Sequence, residues 1–129
     1  MPVLKIKRVY DPPGDDDGAR VLVDRLWPRG LSKDKAALDL WLKDIAPSDG
    51  LRKRFHGDPE GWERFRTAYA RELEEPLAHA AVQTLRERLR AGPVTLLFAA
   101  RDEHRNNAVA LKEWLGQRGA ARARPSRPR

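Results

Sequence analysis

The chain has 129 residues, 40% of them hydrophobic and 35% charged, with no cysteine and a formal net charge of +7. That length predicts one domain with a real core, and the missing cysteines exclude a disulfide framework, a thiol nucleophile and a Cys-based zinc site. No apolar run approaches the ~20 residues a membrane helix needs, and Lys5, Lys7 and Arg8 interrupt any N-terminal signal region, so a cytoplasmic protein with no membrane partner is expected.

In chain order, Leu4 to Tyr10 alternates apolar and polar side chains, which predicts a half-buried strand. Asp11 to Gly18 is rich in Pro, Gly and Asp and reads as a mobile loop. Its run Asp15-Asp16-Asp17 reads as solvated rather than as a metal site, and no metal is expected. Val21-Leu22-Val23 is apolar enough for a central strand. Ser32 is an N-cap with Asp34 in the first turn, predicting a helix that carries Leu38, Trp41 and Leu42 inward and breaks before Pro47.

Ser48 and Asp49 start a short helix holding Leu51 and Phe55. Asp58-Pro59 is read as a cap followed by the first helical residue, opening a helix with Trp62, Phe65, Tyr69 and Leu73 inward. Pro76 interrupts, and Leu77, Ala81, Leu85 and Leu89 form the next amphipathic helix, closed by Gly92-Pro93. Val94 to Ala99 is a continuous apolar run, which predicts a strand buried on both faces. After the polar segment Arg101 to Asn107 comes a last helix with Ala108, Leu111, Trp114 and Leu115 on its apolar side, ending near Gly116 or Gly119.

The expected domain is residues 1–117. Residues 118–129 are read as a disordered Arg-rich tail. That tail holds five Arg and no acid, leaving a net +2 for the body. The basicity therefore argues for a weak, nonspecific polyanion contact through the tail rather than a specific groove reader.

Strands at both ends of the chain with helices between them indicate an α/β layered domain. In such sheets ligands bind beyond the carboxyl ends of the strands. Two polar segments lie there, Asp24–Gly30 and Arg101–Asn107, and they face each other if their strands are parallel neighbours.

Arg25, Arg29 and Arg101 carry forked donors suited to carboxylate or phosphate. Gly30 lets a backbone approach a ligand, and Trp27 offers a stacking face or a cover. Asn106 and Asn107 stand at a helix N-terminus, where amides and free N–H groups hold anions. Asp24, Asp102 and His104 are the candidates for proton transfer.

Each has a plainer reading. Arg25 pairs with an Asp at the sheet edge, Trp27-Pro28 is a packed turn, and Asn106 is simply an N-cap. His56 with Asp58 lacks a third metal ligand, and His79 is solvated. Tyr69 and Glu72 share a helix face and read as core and surface rather than pocket residues.

The segments Val21–Lys33, Ile45-Ala46-Pro47-Ser48, Asp58-Pro59 with Trp62, and Thr95–Asp102 with Asn106-Asn107-Ala108 resemble the YeaO-like branch of the family called domain of unknown function 488. The resemblance covers about residues 3–115, and Asp24-Arg25-Leu26-Trp27-Pro28-Arg29-Gly30 is its most specific motif. It implies a small bacterial Rossmann-like three-layer domain, a mostly parallel sheet with helices on both faces, and no established activity.

Longer relatives carry cysteines that align with Phe98 and Asn106, so a thiol role does not carry over. The YeaO-like pattern also places His directly before Asn-Asn, where this chain has Arg105, with His104 one position earlier.

The expected function is binding of a small anionic ligand, phosphate- or nucleotide-like, by an enzyme or a binding domain whose cofactor is unknown. The alternatives are a regulatory or nucleic-acid-associated module using the tail, and a protein-interaction module.

Overall fold

The computed structural model describes residues 3–56, 58 and 60–122. Residues 123–129, most of the expected tail, lie outside the described residues, and with them the expected polyanion contact.

Four parallel strands form one sheet: β1 (Leu4–Arg8), β2 (Ala19–Leu22), β3 (Leu40–Trp41) and β4 (Val94–Phe98), in the order β1-β4-β2-β3. The chain is therefore α/β with an all-parallel sheet. β4 pairs with β1 from Leu4↔Val94 to Arg8↔Phe98 and with β2 from Ala19↔Val94 to Leu22↔Leu97. The two strands that end in polar segments are thus parallel neighbours, as the site expectation required.

The period-2 side-chain alternation sorts the sheet into two apolar clusters. Val21, Val23, Val94, Leu96 and Phe98 face the larger one, with Leu4 and Ile6 at its edge. Helices α2 (Asp49–His56), α3 (Trp62–Glu72), α4 (Pro76–Ala91) and α5 (Asn107–Arg122) supply the rest of that core, including the fully buried Tyr69, Leu73, Leu85 and Leu111. Leu22 and Leu97 point to the opposite face. There Val9, Ala36 of the single-turn helix α1 (Lys33–Ala36), Trp27, Leu31, Leu38 and Trp41 cover them.

The helix expected over residues 33–46 is the largest departure. Ser32 does cap it, accepting from the Lys35 N–H at 3.1 Å. One turn later Ala37 adopts φ 50°, ending the helix in the left-handed region. The chain then adds a strand to the free edge of β2: Asp39 N donates to Arg20 O, Asp39 Oδ2 accepts from Arg20 N, and Leu42 N donates to Leu22 O. Pairing an open sheet edge satisfies more backbone than extending an isolated helix would. A 3-10 turn, Lys43–Ile45, follows.

Smaller corrections concern ends and faces. Gly61, not Asp58, occupies the N-cap of α3, and Asp58 pairs with Arg64 instead. In α4 the buried stripe is Ala78, Ala81, Val82 and Leu85, which leaves Leu77 71% exposed. α5 runs to Arg122, past both expected stops and into the first residues of the expected tail.

The loop before β2 is anchored rather than loose. Asp17, 3% exposed, accepts from Lys7 Nζ at 2.9 Å and from Arg20 Nη1 at 2.5 Å, and Thr95 Oγ1 donates to its carbonyl at 2.7 Å. Arg20, 5% exposed, spends its other donors on the Ala36 and Ala37 carbonyls. Burial pushes the Asp17 carboxyl up, but the Gly14 N–H, Lys7 and Arg20 outweigh it and hold the carboxyl down to about 2.

Candidate functional site

The carboxyl ends of β2 and β4 release the two polar segments on the same side of the sheet, and α5 begins there. Asp24 follows β2 and turns inward. Its Oδ1 accepts from Asn107 Nδ2 at 2.9 Å and its Oδ2 from Ala99 N at 3.0 Å. Its carbonyl takes the Trp41 indole N–H at 2.7 Å. Burial raises its carboxyl above the usual range, opposed by the Asn107 and Ala99 hydrogen bonds and by the charge of Arg52.

Arg25 turns away from Asp24. Its Nη2 donates to Ala46 O at 3.0 Å and its Nε to Pro47 O at 3.3 Å, which fastens the loop to the segment before α2. Trp27 is half-buried with its ring edge-on to Trp41 at 5.4 Å and its N–H on Leu31 O, so it packs against the sheet. Gly30, exposed, adopts φ +74° with open space where a Cβ would stand; handedness, not a close approach, explains it.

Arg29 and Arg101 differ from Arg25. Both are exposed, and among the described residues neither guanidinium has a hydrogen-bond or ion-pair partner. A chain of contacts links them. The Tyr10 hydroxyl donates to Arg29 O at 2.8 Å, and Arg8 lies over the Tyr10 ring at 5.0 Å. Arg8 in turn donates to Ala100 O at 2.9 Å and Ala99 O at 3.1 Å, immediately before Arg101.

Asp102 is exposed and accepts from the His104 and Arg105 N–H groups, which, ahead of its slight burial, hold its carboxyl below the usual range. It shapes its own turn. His104 is exposed beside it, and among the described residues no hydrogen bond or ion pair joins Asp24 to Asp102 or His104. Asn106 is buried as the cap of α5: its Oδ1 accepts from Val109 N and its Nδ2 donates to Asp102 O.

Beneath the loop the fold gathers residues that the sequence reading set aside. Tyr69 donates to Ile45 O at 2.6 Å, and burial, then the Asp24 and Glu72 charges, push its hydroxyl well above its ordinary range against Arg25. Glu72 accepts from Ser48 N at 2.7 Å and from Ser48 Oγ at 2.6 Å. Their shared helix face was the available signal, but only the packing of α3 against the Arg25 loop makes it informative. Among the described residues there is no group of three or more His, Cys, Asp or Glu able to hold a metal, and no helix long and apolar enough to cross a membrane.

Over residues 3–129 the chain matches the family described as the inactive DUF488-N3 subclade. It is 44% identical to the uncharacterized protein YeaO of Escherichia coli over 112 residues, covering 87% of this chain and 96% of that protein. It is 40% identical over 115 residues to the uncharacterized proteins Rv3073c of Mycobacterium tuberculosis and Mb3100c of Mycobacterium bovis, covering 89% of this chain and 95% of each. No solved structure matches.

Proposed function

Since this chain belongs to the DUF488 family, in the subclade described as inactive, we propose that it is a non-catalytic binding domain for a small anionic, phosphate-bearing compound. The ligand lies across the carboxyl ends of β1, β4 and β2, between Arg29 and Arg101. The observation that carries this reading is the pair of partnerless guanidinium groups whose loops are joined through Tyr10, bonded to the Arg29 carbonyl, and Arg8, bonded to the Ala99 and Ala100 carbonyls just before Arg101. Exposed arginines in the loops that follow β2 and β4, with the N-terminus of α5 on the same side, suit an oxyanion.

Two of the three candidates for proton transfer are already committed within the fold, which supports binding rather than turnover. Both oxygens of Asp24 already accept hydrogen bonds from inside the fold, and Asp102 is committed to its own turn.

The test is thermal stabilisation by inorganic phosphate and a panel of nucleoside monophosphates. The expected result is a concentration-dependent rise in melting temperature that the double variant Arg29→Ala/Arg101→Ala abolishes while melting normally without ligand. A panel with no effect, or an effect the double variant keeps, overturns the reading.

A further inference from the structure

The strand-end face holds one feature that a bare phosphate leaves unused, the ring of Tyr10. The chain has four Trp, three Phe and two Tyr. Among the described residues Tyr10 is the one aromatic side chain that belongs to neither apolar cluster, and no other ring stacks on it. It stands 38% exposed just beyond the end of β1.

Exposure of a single tyrosine is ordinary; the placement of this one is not. Its hydroxyl is fixed on the Arg29 carbonyl at 2.8 Å, and the Arg8 guanidinium lies over its ring at 5.0 Å. Arg8 is itself held by the Ala99 and Ala100 carbonyls. One face of the ring is thus backed by a cation and its polar edge is pinned. Together these contacts fix the ring between the loop that carries Arg29 and the segment that leads into Arg101.

Trp27, the ring expected from sequence to stack on a ligand, is turned edge-on to Trp41 and gives its N–H to Leu31 O. A ligand between Arg29 and Arg101 therefore meets Tyr10 as its aromatic surface.

Resting on the phosphate reading above, we propose that the ligand is a nucleoside monophosphate. Its base stacks on the face of Tyr10 opposite Arg8, while its phosphate takes Arg29 and Arg101. A ring already held in place loses little freedom on stacking. Stacking on an aromatic side chain uses the flat face of a base rather than its hydrogen-bonding edge. Tyr10 accordingly separates nucleotides from other phosphates without separating one base from another.

The experiment is calorimetric titration of the full chain with adenosine 5′-monophosphate, ribose 5-phosphate and inorganic phosphate. The nucleotide is expected to bind about tenfold more tightly than ribose 5-phosphate. Tyr10→Leu, altered at an exposed position, brings the two to equal affinity. Tyr10→Phe, which keeps the ring and loses the hydroxyl, preserves the nucleotide's advantage. Equal affinities in the parent chain, an advantage that Tyr10→Leu keeps, or one that Tyr10→Phe loses overturns the inference and leaves the phosphate site standing. Failure of all three compounds to bind overturns the phosphate reading and this inference with it.

Discussion

Asn107 Nδ2 donates both to the Val23 carbonyl at 3.0 Å and to Asp24 Oδ1 at 2.9 Å. These two side chains complete the ladder between β2 and β4. Val23 N donates to Leu97 O, and in an unbroken parallel ladder the Ala99 N–H would next donate to Val23 O. Instead the Ala99 N–H goes to Asp24 Oδ2, and Val23 O takes its proton from Asn107. The sheet ends in a side-chain clasp that also fixes the first turn of α5.

Removing the clasp should be expensive. Asn107→Ala leaves a carbonyl and a largely buried carboxylate each short of a donor, for a loss of about 2–3 kcal/mol. Urea denaturation reads this as a lower midpoint at unchanged slope. A midpoint within experimental error of the parent would mean that water replaces the amide without penalty.

Arg25 and Arg29 stand four residues apart in one loop and should behave oppositely. Arg25→Ala removes two hydrogen bonds to the Ala46 and Pro47 carbonyls and costs about 1–2 kcal/mol. Arg29→Ala touches only an exposed, partnerless side chain and should stay within about 0.5 kcal/mol of the parent. Comparing the two melts decides which arginine the fold needs.

Acid sensitivity should trace to Asp17. Its folded carboxyl titrates at about 2 against an ordinary value of 3.8, so the unfolded chain binds the proton more readily. The contribution is complete above about pH 4 and is lost as pH falls toward 2, on the order of 2 kcal/mol. Asp24, raised by burial, has the opposite sign: its ionised form opposes folding, and that penalty fades as pH drops. Asp17→Asn should therefore flatten the acid limb of stability against pH. It should also lower stability at pH 7 by about 2–3 kcal/mol, because Arg20 stays buried without its partner. An unchanged acid limb would assign the sensitivity elsewhere.

The two left-handed glycines among the described residues, Gly18 and Gly30, differ in kind. A Cβ at Gly18 would overlap the Pro93 carbonyl, in the turn where Ala19 N donates to Pro93 O, whereas one at Gly30 would meet open space. Gly30→Ala should cost about 1 kcal/mol, for the φ of +74° alone. Gly18→Ala adds a backbone collision at the start of β2 and should cost several times more. Equilibrium denaturation of both variants, with equal losses as the contrary result, tests the distinction.

Much of the scaffold is legible from side-chain periodicity. β1, β2 and β4, the helices holding Phe65 and Leu85, and the adjacency of the Asp24 and Asn107 segments all follow from patterns of two and 3.6 with the parallel-sheet rule. What escapes is decided by contacts between residues distant in sequence. Leu38, Trp41 and Leu42 have helical spacing, yet the open edge of β2 claims them.

Three consecutive aspartates look alike in sequence, and only the third lies under Lys7, Arg20 and Thr95. Leu77 sits one residue out of phase with the buried stripe of its helix, a difference that a count of apolar residues does not register. In the candidate site, residue types at the strand ends were readable, but which arginine turns inward was not. That depended on the Ala46 and Pro47 carbonyls, which the fold alone brings beneath the loop.

The strand order has a consequence for how the chain acquires its structure. β1 and β2 are both made early, yet neither pairs with the other; each waits for β4, residues 94–98. Once residues 1–93 have been made, helices α2 to α4 are present but only the short β2–β3 pairing can form as sheet. Loops of some 70 to 90 residues must then close almost at once, which favours slow, all-or-none assembly. Until β4 emerges, the apolar edge of Val21 and Leu22 is the part of the newborn chain most in need of a chaperone.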